Sequence, residues 1–133
     1  LLTKINTIIL NKQEALSLTN KKTIKDAISY LIKKNKKLTT IITNGKNTLM
    51  AYHNEIIYSC KPPKVIIQNE NGAGDSMSAF FNYFITCHEF KVALVKSMVA
   101  GSLQASSYKG NKKSYLKKID QMLSRIKITT KDI

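Results

Sequence analysis

The chain has 133 residues and a mass of 15.0 kDa, which is the size of one domain and enough to bury a core without disulfide or metal crosslinks. Its composition, 43% hydrophobic and 23% charged, excludes disordered and collagen-like proteins, and no run approaches the roughly 18 apolar residues that a transmembrane helix needs. The net charge is +14, and Arg125 is the one arginine among the basic residues. Because nucleic-acid-binding surfaces normally use more arginine, we interpret the charge as a solvated lysine surface, with a polyanion-binding patch as the alternative.

The chain alternates β-branched runs with amphipathic segments. In chain order, the predicted elements begin with strand 5–10, helices 12–18 and 24–35, and strands 38–43, 48–52, 55–59 and 65–67. They continue with a helix that has Asp75 in its first turn and runs to about residue 87, and with helices from about 91 to 108 and 114 to 125. Asn11 and Thr23 are the predicted N-caps of the first two helices, and His53-Asn54 is the predicted hairpin turn. Strands that alternate with helices indicate an α/β domain with a mostly parallel sheet and helices on both faces.

A glycine-rich segment, Asn71-Gly72-Ala73-Gly74-Asp75, lies between a predicted strand and a strongly apolar helix. Small residues let the backbone approach a ligand closely, and the first N–H groups of a helix point outward, so the segment is suited to hold a phosphoryl group. Asp75, in the first turn of that helix, is placed to take a proton from a hydroxyl beside this anion hole. The alternative is an ordinary glycine-rich turn in which Asp75 caps the helix.

This segment resembles the second signature of the ribokinase-like (PfkB) family of sugar and nucleoside kinases, usually written Asp-Thr-Thr/Asn-Gly-Ala-Gly-Asp. Residues 71–75 and Ala79 match the signature. Asn69, Glu70 and Phe80 depart from it, since the family usually has Asp, Thr and Gly at those positions. Glu70 adds a carboxylate next to the expected anion site, which weakens phosphate binding unless it points to solvent.

Two further motifs agree with this family. Asn11-Lys12-Gln13-Glu14 matches the family's Asn-x-x-Glu motif, which also follows a strand there. Thr43-Asn44-Gly45 resembles the family's Thr-x-Gly turn, although Thr48 stands where a second glycine is usual. The three motifs occur in the family's order and at about its spacing, so together they are far more specific than any one of them.

The resemblance implies an ATP-dependent phosphotransferase that acts on a sugar or nucleoside hydroxyl. Asp75 would be the catalytic base, and the backbone N–H groups of Gly72, Ala73 and Gly74 would form the anion hole. The residues implied to line the nucleotide are Thr43, Asn44, Gly45 and Asn71, with residues 97–105 near the adenine. Asn11 and Glu14 would act on Mg²⁺, Glu14 through water, and a monovalent cation is a further candidate cofactor.

The resemblance also implies that residues 1–133 are the carboxyl-terminal half of a kinase domain. Nothing in the chain matches the family's first glycine signature, its sugar-binding residues or its β lid. We therefore expect the missing amino-terminal half to be a partner, and the chain alone to be inactive and to dimerise or aggregate through an uncovered sheet edge. The alternative is a non-catalytic remnant that binds nucleotide or a partner chain.

The acceptor is the least specific inference from the sequence. The helix around residues 99–108 is rich in Gly, Ser and Ala and looks like the corresponding helix of pseudouridine kinases, which makes pseudouridine the leading single guess. The Asn71 variant also appears in adenosine kinases. Small residues that permit close helix packing explain the same composition equally well.

Cys60 and Cys87 have neither CxxC nor metal-ligand spacing with each other or with the two histidines. We interpret them as reduced, small hydrophobic residues of a cytoplasmic protein, with a disulfide as the alternative.

Overall fold

The computed structural model describes the backbone of residues 6–65, 73–106 and 108–133, and the side chains of the same ranges except residues 73–76. The chain forms two compact units. Unit 1 is residues 1–60 together with 128–133, and unit 2 is residues 61–127. Of the strand predicted over 65–67, Val65 is not in a strand and the remainder lies outside the described residues.

Unit 1 contains a five-stranded sheet in the order β1-β2-β3-β4-β5. The strands are β1 (Thr7–Asn11), β2 (Thr39–Thr43), β3 (Leu49–His53), β4 (Ile56–Cys60) and β5 (Ile128–Asp132). The predicted α/β class is confirmed, but among the described strands only β1 and β2 pair in parallel and the other three pairings are antiparallel. The physical reason is that the short turns joining β2 to β3 and β3 to β4 can connect only antiparallel neighbours.

Two helices form the crossover between the parallel strands. They are α1 (Lys12–Thr19) and α2 (Ile24–Lys34), and their predicted caps are confirmed, since Asn11 caps α1 and the side chain of Thr23 accepts the Asp26 N–H at 3.1 Å. A core cluster joins these helices to the sheet; its members are Ala15, Ala27, Ile28, Ile42 and Tyr52. The periodic apolar face of α2 is therefore what attaches the crossover to β2 and β3.

The hairpin between β3 and β4 turns one residue later than predicted. Its central residues are Asn54 and Glu55, with φ values of 53° and 69°, and His53 remains in the strand opposite Ile56. Positive φ at both central positions is the geometry of a type I′ turn, which matches the twist of the flanking strands. His53 in turn forms a 2.8 Å hydrogen bond between its Nδ1 and Thr39 Oγ1, and burial lowers its pKa.

Unit 2 contains three helices, α3 (Ala73–Phe84), α4 (Phe90–Ala105) and α5 (Lys112–Leu123), which confirm the predicted elements to within a few residues. Helices α3 and α4 pack together, and the rings of Phe81 and Phe90 meet edge to face at 5.8 Å. Among the residues that the structure describes, no helix combines the length and apolar character needed to cross a membrane.

The core of unit 1 contains one hydroxyl whose removal should stabilise the protein. Thr40 is 1% exposed, and its Oγ1 has no hydrogen-bond partner among the described residues. We expect Thr40→Val, which keeps the shape of the side chain, to raise the free energy of unfolding by about 1–2 kcal/mol. Thr39→Val is the matched control, because its hydroxyl is bonded to His53 and its loss should lower stability. Denaturant melts of both variants decide the point, and a destabilised Thr40→Val would contradict it.

Candidate functional site

The predicted site residues of unit 1 lie at the carboxyl edge of its parallel strand pair. Asn11 ends β1, Thr43 ends β2, and the two are register partners in the ladder. The Thr43 hydroxyl donates to the Leu10 carbonyl at 3.4 Å, which ties the two strand ends together. Ligands of open α/β sheets bind beyond the carboxyl ends of the strands, so this edge is the candidate site in unit 1.

Asn11 and Glu14 form a capping box at the start of α1. The Glu14 N–H donates to Asn11 Oδ1 at 2.8 Å, and the Asn11 N–H donates to Glu14 Oε1 at 2.9 Å. Both side chains are exposed, and no described residue forms an ion pair with Glu14. The capping box thus fixes the orientation of the Glu14 carboxylate through Oε1, on a side chain that is exposed to solvent.

These two residues fit an indirectly held divalent cation. Carboxylate and amide oxygens suit Mg²⁺, which keeps several of its waters when it is bound through one or two carboxylates and phosphates. Each side chain already uses one acceptor oxygen in the capping box, so water-mediated contact is the arrangement that their chemistry allows best. Within the described part of the chain, no group of three or more His, Cys, Asp or Glu residues could hold a metal ion on its own.

A tight turn follows β2 at the same edge of the sheet. The Asn47 N–H donates to the Asn44 carbonyl at 2.9 Å, and Gly45 lies between them with φ at 58°. A Cβ on Gly45 would meet no atom within 4 Å, so the backbone conformation, and not crowding, selects glycine there. The predicted nucleotide-lining residues Thr43, Asn44 and Gly45 therefore form one connected strand end and turn.

The other predicted site residues belong to unit 2. Ala73, Gly74 and Asp75 occupy the first turn of α3, as the motif predicts. The first four N–H groups of an α-helix have no partner within the helix, which is why the start of a helix is suited to bind an anion. Asn71 and Gly72 lie outside the described residues. The structure thus brings Asn11, Glu14 and Thr43 together in unit 1 and groups Asp75 with Ala73 and Gly74 in unit 2.

The small residues of α4 are explained by packing. Ser97, Ala100 and Gly101 are buried, and the Ser97 hydroxyl donates to the Ala93 carbonyl one turn earlier. Burial of this kind is what close helix packing requires, so the small-residue pattern adds nothing in favour of a pseudouridine acceptor.

The two cysteines should differ sharply in reactivity. Cys60 is a buried thiol whose pKa is raised by desolvation to about 12, whereas Cys87 is exposed. Because the thiolate is the reactive form, we expect iodoacetamide at pH 8 to alkylate Cys87 and to leave Cys60 unmodified in the folded protein. Mass spectrometry of the labelled chain, with a denatured sample as control, tests this. Equal labelling of both residues before unfolding would show that Cys60 is accessible.

Comparisons with known proteins identify the family. The family model described as "pfkB family carbohydrate kinase" matches residues 1–111. A search of curated proteins finds no match. Solved structures do match, among them a mutant of phosphofructokinase-2 from Escherichia coli (21% identity, TM-score 0.77) and aminoimidazole riboside kinase from Salmonella enterica (19% identity, TM-score 0.71).

These matches cover most of this chain and less than half of the other proteins. The shares are 91% of this chain and 41% of the E. coli protein, and 92% of this chain and 43% of the Salmonella protein. An E. coli protein assigned as a ribokinase II, solved with ATP and Mg²⁺, matches at 18% identity and a TM-score of 0.76 over 93% of this chain and 41% of its own. The likeness confirms the ribokinase-like α/β fold, and with the family match over residues 1–111 it follows that the chain belongs to the pfkB family of carbohydrate kinases.

Proposed function

We propose that the chain supplies the nucleotide site and the catalytic base of an ATP-dependent kinase that phosphorylates a hydroxyl of a sugar or nucleoside. The observation that carries the proposal is the polar edge of unit 1, where Asn11 and Thr43 are partners in the last row of the parallel ladder and Glu14 is hydrogen-bonded to Asn11. This edge lies in a chain whose family phosphorylates carbohydrates. Phosphoryl transfer needs positioning and charge stabilisation above all, and exposed polar groups on rigid elements are suited to both.

In this proposal the first turn of α3 performs the proton transfer. Asp75 takes the proton of the acceptor hydroxyl as that oxygen attacks the γ-phosphorus of ATP, and the bond from the γ-phosphorus to the bridging oxygen of ADP breaks. The N–H groups of Gly72, Ala73 and Gly74 stabilise the charge that develops on the γ-phosphoryl oxygens. The helical backbone of residues 73–75 supports this role, because it directs unpaired N–H groups out of the helix start.

Unit 1 would hold the nucleotide and its metal. Thr43, Asn44 and Gly45 would line the nucleotide, and Asn11 and Glu14 would hold Mg²⁺ through water. The ion, when bound, neutralises charge on the β- and γ-phosphates. Support comes from the capping box, which orients the Glu14 carboxylate at the carboxyl edge of the sheet, and from a structural relative that was solved with ATP and Mg²⁺.

The acceptor pocket would be supplied largely by sequence outside this chain, since the chain spans about two-fifths of the length of its structural relatives. One of those relatives acts on an aminoimidazole riboside, so a nucleoside-like acceptor is compatible with the fold. Pseudouridine stays a candidate by resemblance of sequence alone, beside the adenosine kinases that share the Asn71 variant.

The 133-residue chain alone should bind Mg·ATP weakly and phosphorylate no sugar or nucleoside. The proposed nucleotide residues are present, but rapid transfer also requires a bound and oriented acceptor. Calorimetry with Mg·ATP and a product assay against ribose, fructose 6-phosphate and pseudouridine measure the two parts separately. Fast phosphorylation by the chain alone would refute the proposal that the acceptor pocket lies outside this chain. A complete lack of nucleotide binding would refute the proposed nucleotide site.

A further inference from the structure

Unit 2 contains a cavity of about 430 Å³ between α3, α4 and α5. Its lining residues are Ala79, Phe80, Tyr83, Gln104, Gly110, Asn111, Lys112, Tyr115 and Leu116. None of them is among the proposed catalytic, anion-hole or metal-binding residues, although Gln104 falls within residues 97–105, which the family resemblance implies lie near the adenine. A cavity of this volume lies within the usual range of small-molecule sites.

Aromatic rings form much of the cavity wall. The planes of Phe80 and Tyr115 are within 5° of parallel, with their centroids 6.3 Å apart, and Tyr83 is 47% exposed. The ring of Tyr108, which is not itself part of the lining, packs edge to face against that of Tyr115 at 5.3 Å. Several rings directed at one space offer flat faces and edges to a planar ligand.

Two polar side chains accompany these rings. The Tyr115 hydroxyl donates to Gln104 Oε1 at 3.2 Å, which holds the Gln104 amide in place and leaves its N–H groups for another acceptor. Among the described residues of the lining, Lys112 is the one that carries a charge, and its Nζ lies 5.2 Å from the centroid of the Tyr83 ring. Because no acidic side chain belongs to this described lining, its electrostatic preference is for an anion.

The wall formed by residues 108–114 is closely packed. A Cβ on Gly110 would collide with Ser114 Oγ and approach the Tyr108 hydroxyl to 3.2 Å, so a larger residue at this position would require the Ser114 side chain to move. The Tyr108 hydroxyl also donates to the Ser114 carbonyl at 3.2 Å. The segment that carries Asn111 and Lys112 into the lining is thus held against the start of α5, and the cavity needs no rearrangement to form.

From these features we propose that the cavity is a binding site for a small planar aromatic molecule that carries a carboxylate or a similar acidic group. The aromatic part lies against Phe80, Tyr83 and Tyr115. The acidic group lies toward Lys112 and the amide of Gln104. Charge complementarity selects the anion, and the ring-lined wall selects the planar body over an aliphatic one.

The test uses 2-naphthoate as the probe and uncharged 2-naphthamide as its neutral analogue, titrated into the intact chain and followed by NMR. We expect saturable naphthoate binding with a Kd below about 1 mM, and shifts centred on the cavity residues. Lys112→Met should weaken naphthoate about five-fold and leave naphthamide unchanged, since an exposed charge contributes at most about 1 kcal/mol. Lys113→Met, the next residue of α5 and not part of the lining, is the matched control and should change neither affinity.

A second variant addresses the cavity and not the charge. Ala79→Leu adds a side chain to an exposed position of α3 within the lining, and we expect it to weaken both probes at least ten-fold while the melting temperature stays near that of the parent. The proposal is overturned if naphthoate fails to saturate, if naphthamide binds as tightly as naphthoate, or if Lys113→Met weakens naphthoate as much as Lys112→Met does.

Discussion

Asp75→Asn is expected to lower the rate of phosphoryl transfer by a factor of about 10²–10⁴, the usual contribution of a positioned base. The amide keeps the size of the carboxyl group, and Asp75 is the third residue of α3 and not its N-cap, so the fold of α3 should survive. Affinity for Mg·ATP should hold or rise slightly, because a negative charge near the phosphates has been removed. Steady-state kinetics on an active form of the kinase that contains this chain, together with nucleotide titrations, measure both effects.

Asp75→Ala separates catalysis from stabilisation of the helix. If Asp75 serves only to stabilise the first turn of α3 through the helix dipole, both variants should keep their rate and lose no more than about 1 kcal/mol of stability. A turnover number for Asp75→Asn within a few-fold of the parent would end the catalytic assignment. The chain would then be better described as a nucleotide-binding remnant of its family.

Glu14→Gln is expected to raise the Mg²⁺ concentration needed for half-maximal transfer by about 10- to 100-fold, the usual effect of removing an indirect metal partner. Glutamine fills the same position of a capping box, so the hydrogen bond to the Asn11 N–H should persist. Stability should fall by no more than about 0.5 kcal/mol, from the lost interaction of the charge with the helix dipole. Activity titrated with Mg²⁺ at fixed ATP gives the shift.

Asp26→Asn is the matched control for this experiment. Asp26 occupies the same position of α2 that Glu14 occupies in α1, three residues after the cap, and it is likewise exposed. It should therefore report the general effect of removing an acidic group from a first turn. An equal Mg²⁺ shift in both variants would mean that net charge, and not the Glu14 position, governs the metal requirement.

Elements with strong local signals could be predicted from the sequence. Helix α2 begins at Ile24 as expected, because a Thr23 cap and a clear apolar periodicity agree with each other. Asn11 and Glu14 were assigned to the metal from the family motif, and the structure adds that the same spacing builds a capping box. One pattern of residues thus serves helix initiation and, in our proposal, function.

Other features depended on tertiary pairing that local patterns do not contain. Strand β5 was missed because four of its five residues are exposed, so it shows no hydrophobic alternation and is defined only by its pairing with β4. The hairpin turn was placed one residue early because His53-Asn54 and Asn54-Glu55 both look suitable. The burial of Leu49 and Ala51 on one face decides the register instead.

No motif in the sequence predicts the cavity of unit 2. Phe80 stands where the family signature usually has glycine, and in the structure its ring lies nearly parallel to that of Tyr115 and lines the cavity. The residues involved come from α3, from the end of α4, and from the loop and first turns at the start of α5. Their convergence follows from helix packing, which no single motif encodes.

The chain leaves the sheet after Cys60, at the end of β4, and re-enters it at Ile128, at the start of β5. These two residues are register partners, so the exit and the re-entry are neighbouring points of the sheet. Paired residues of antiparallel strands have Cα atoms about 5 Å apart, so the two ends of residues 61–127 are as close as the ends of a hairpin loop. In the order of the chain, residues 61–127 form one continuous segment between two paired strands, which is the kind of position where changes in chain length are tolerated best. The helices α3, α4 and α5 all belong to this segment, so a change in the length of their connections interrupts no strand of unit 1.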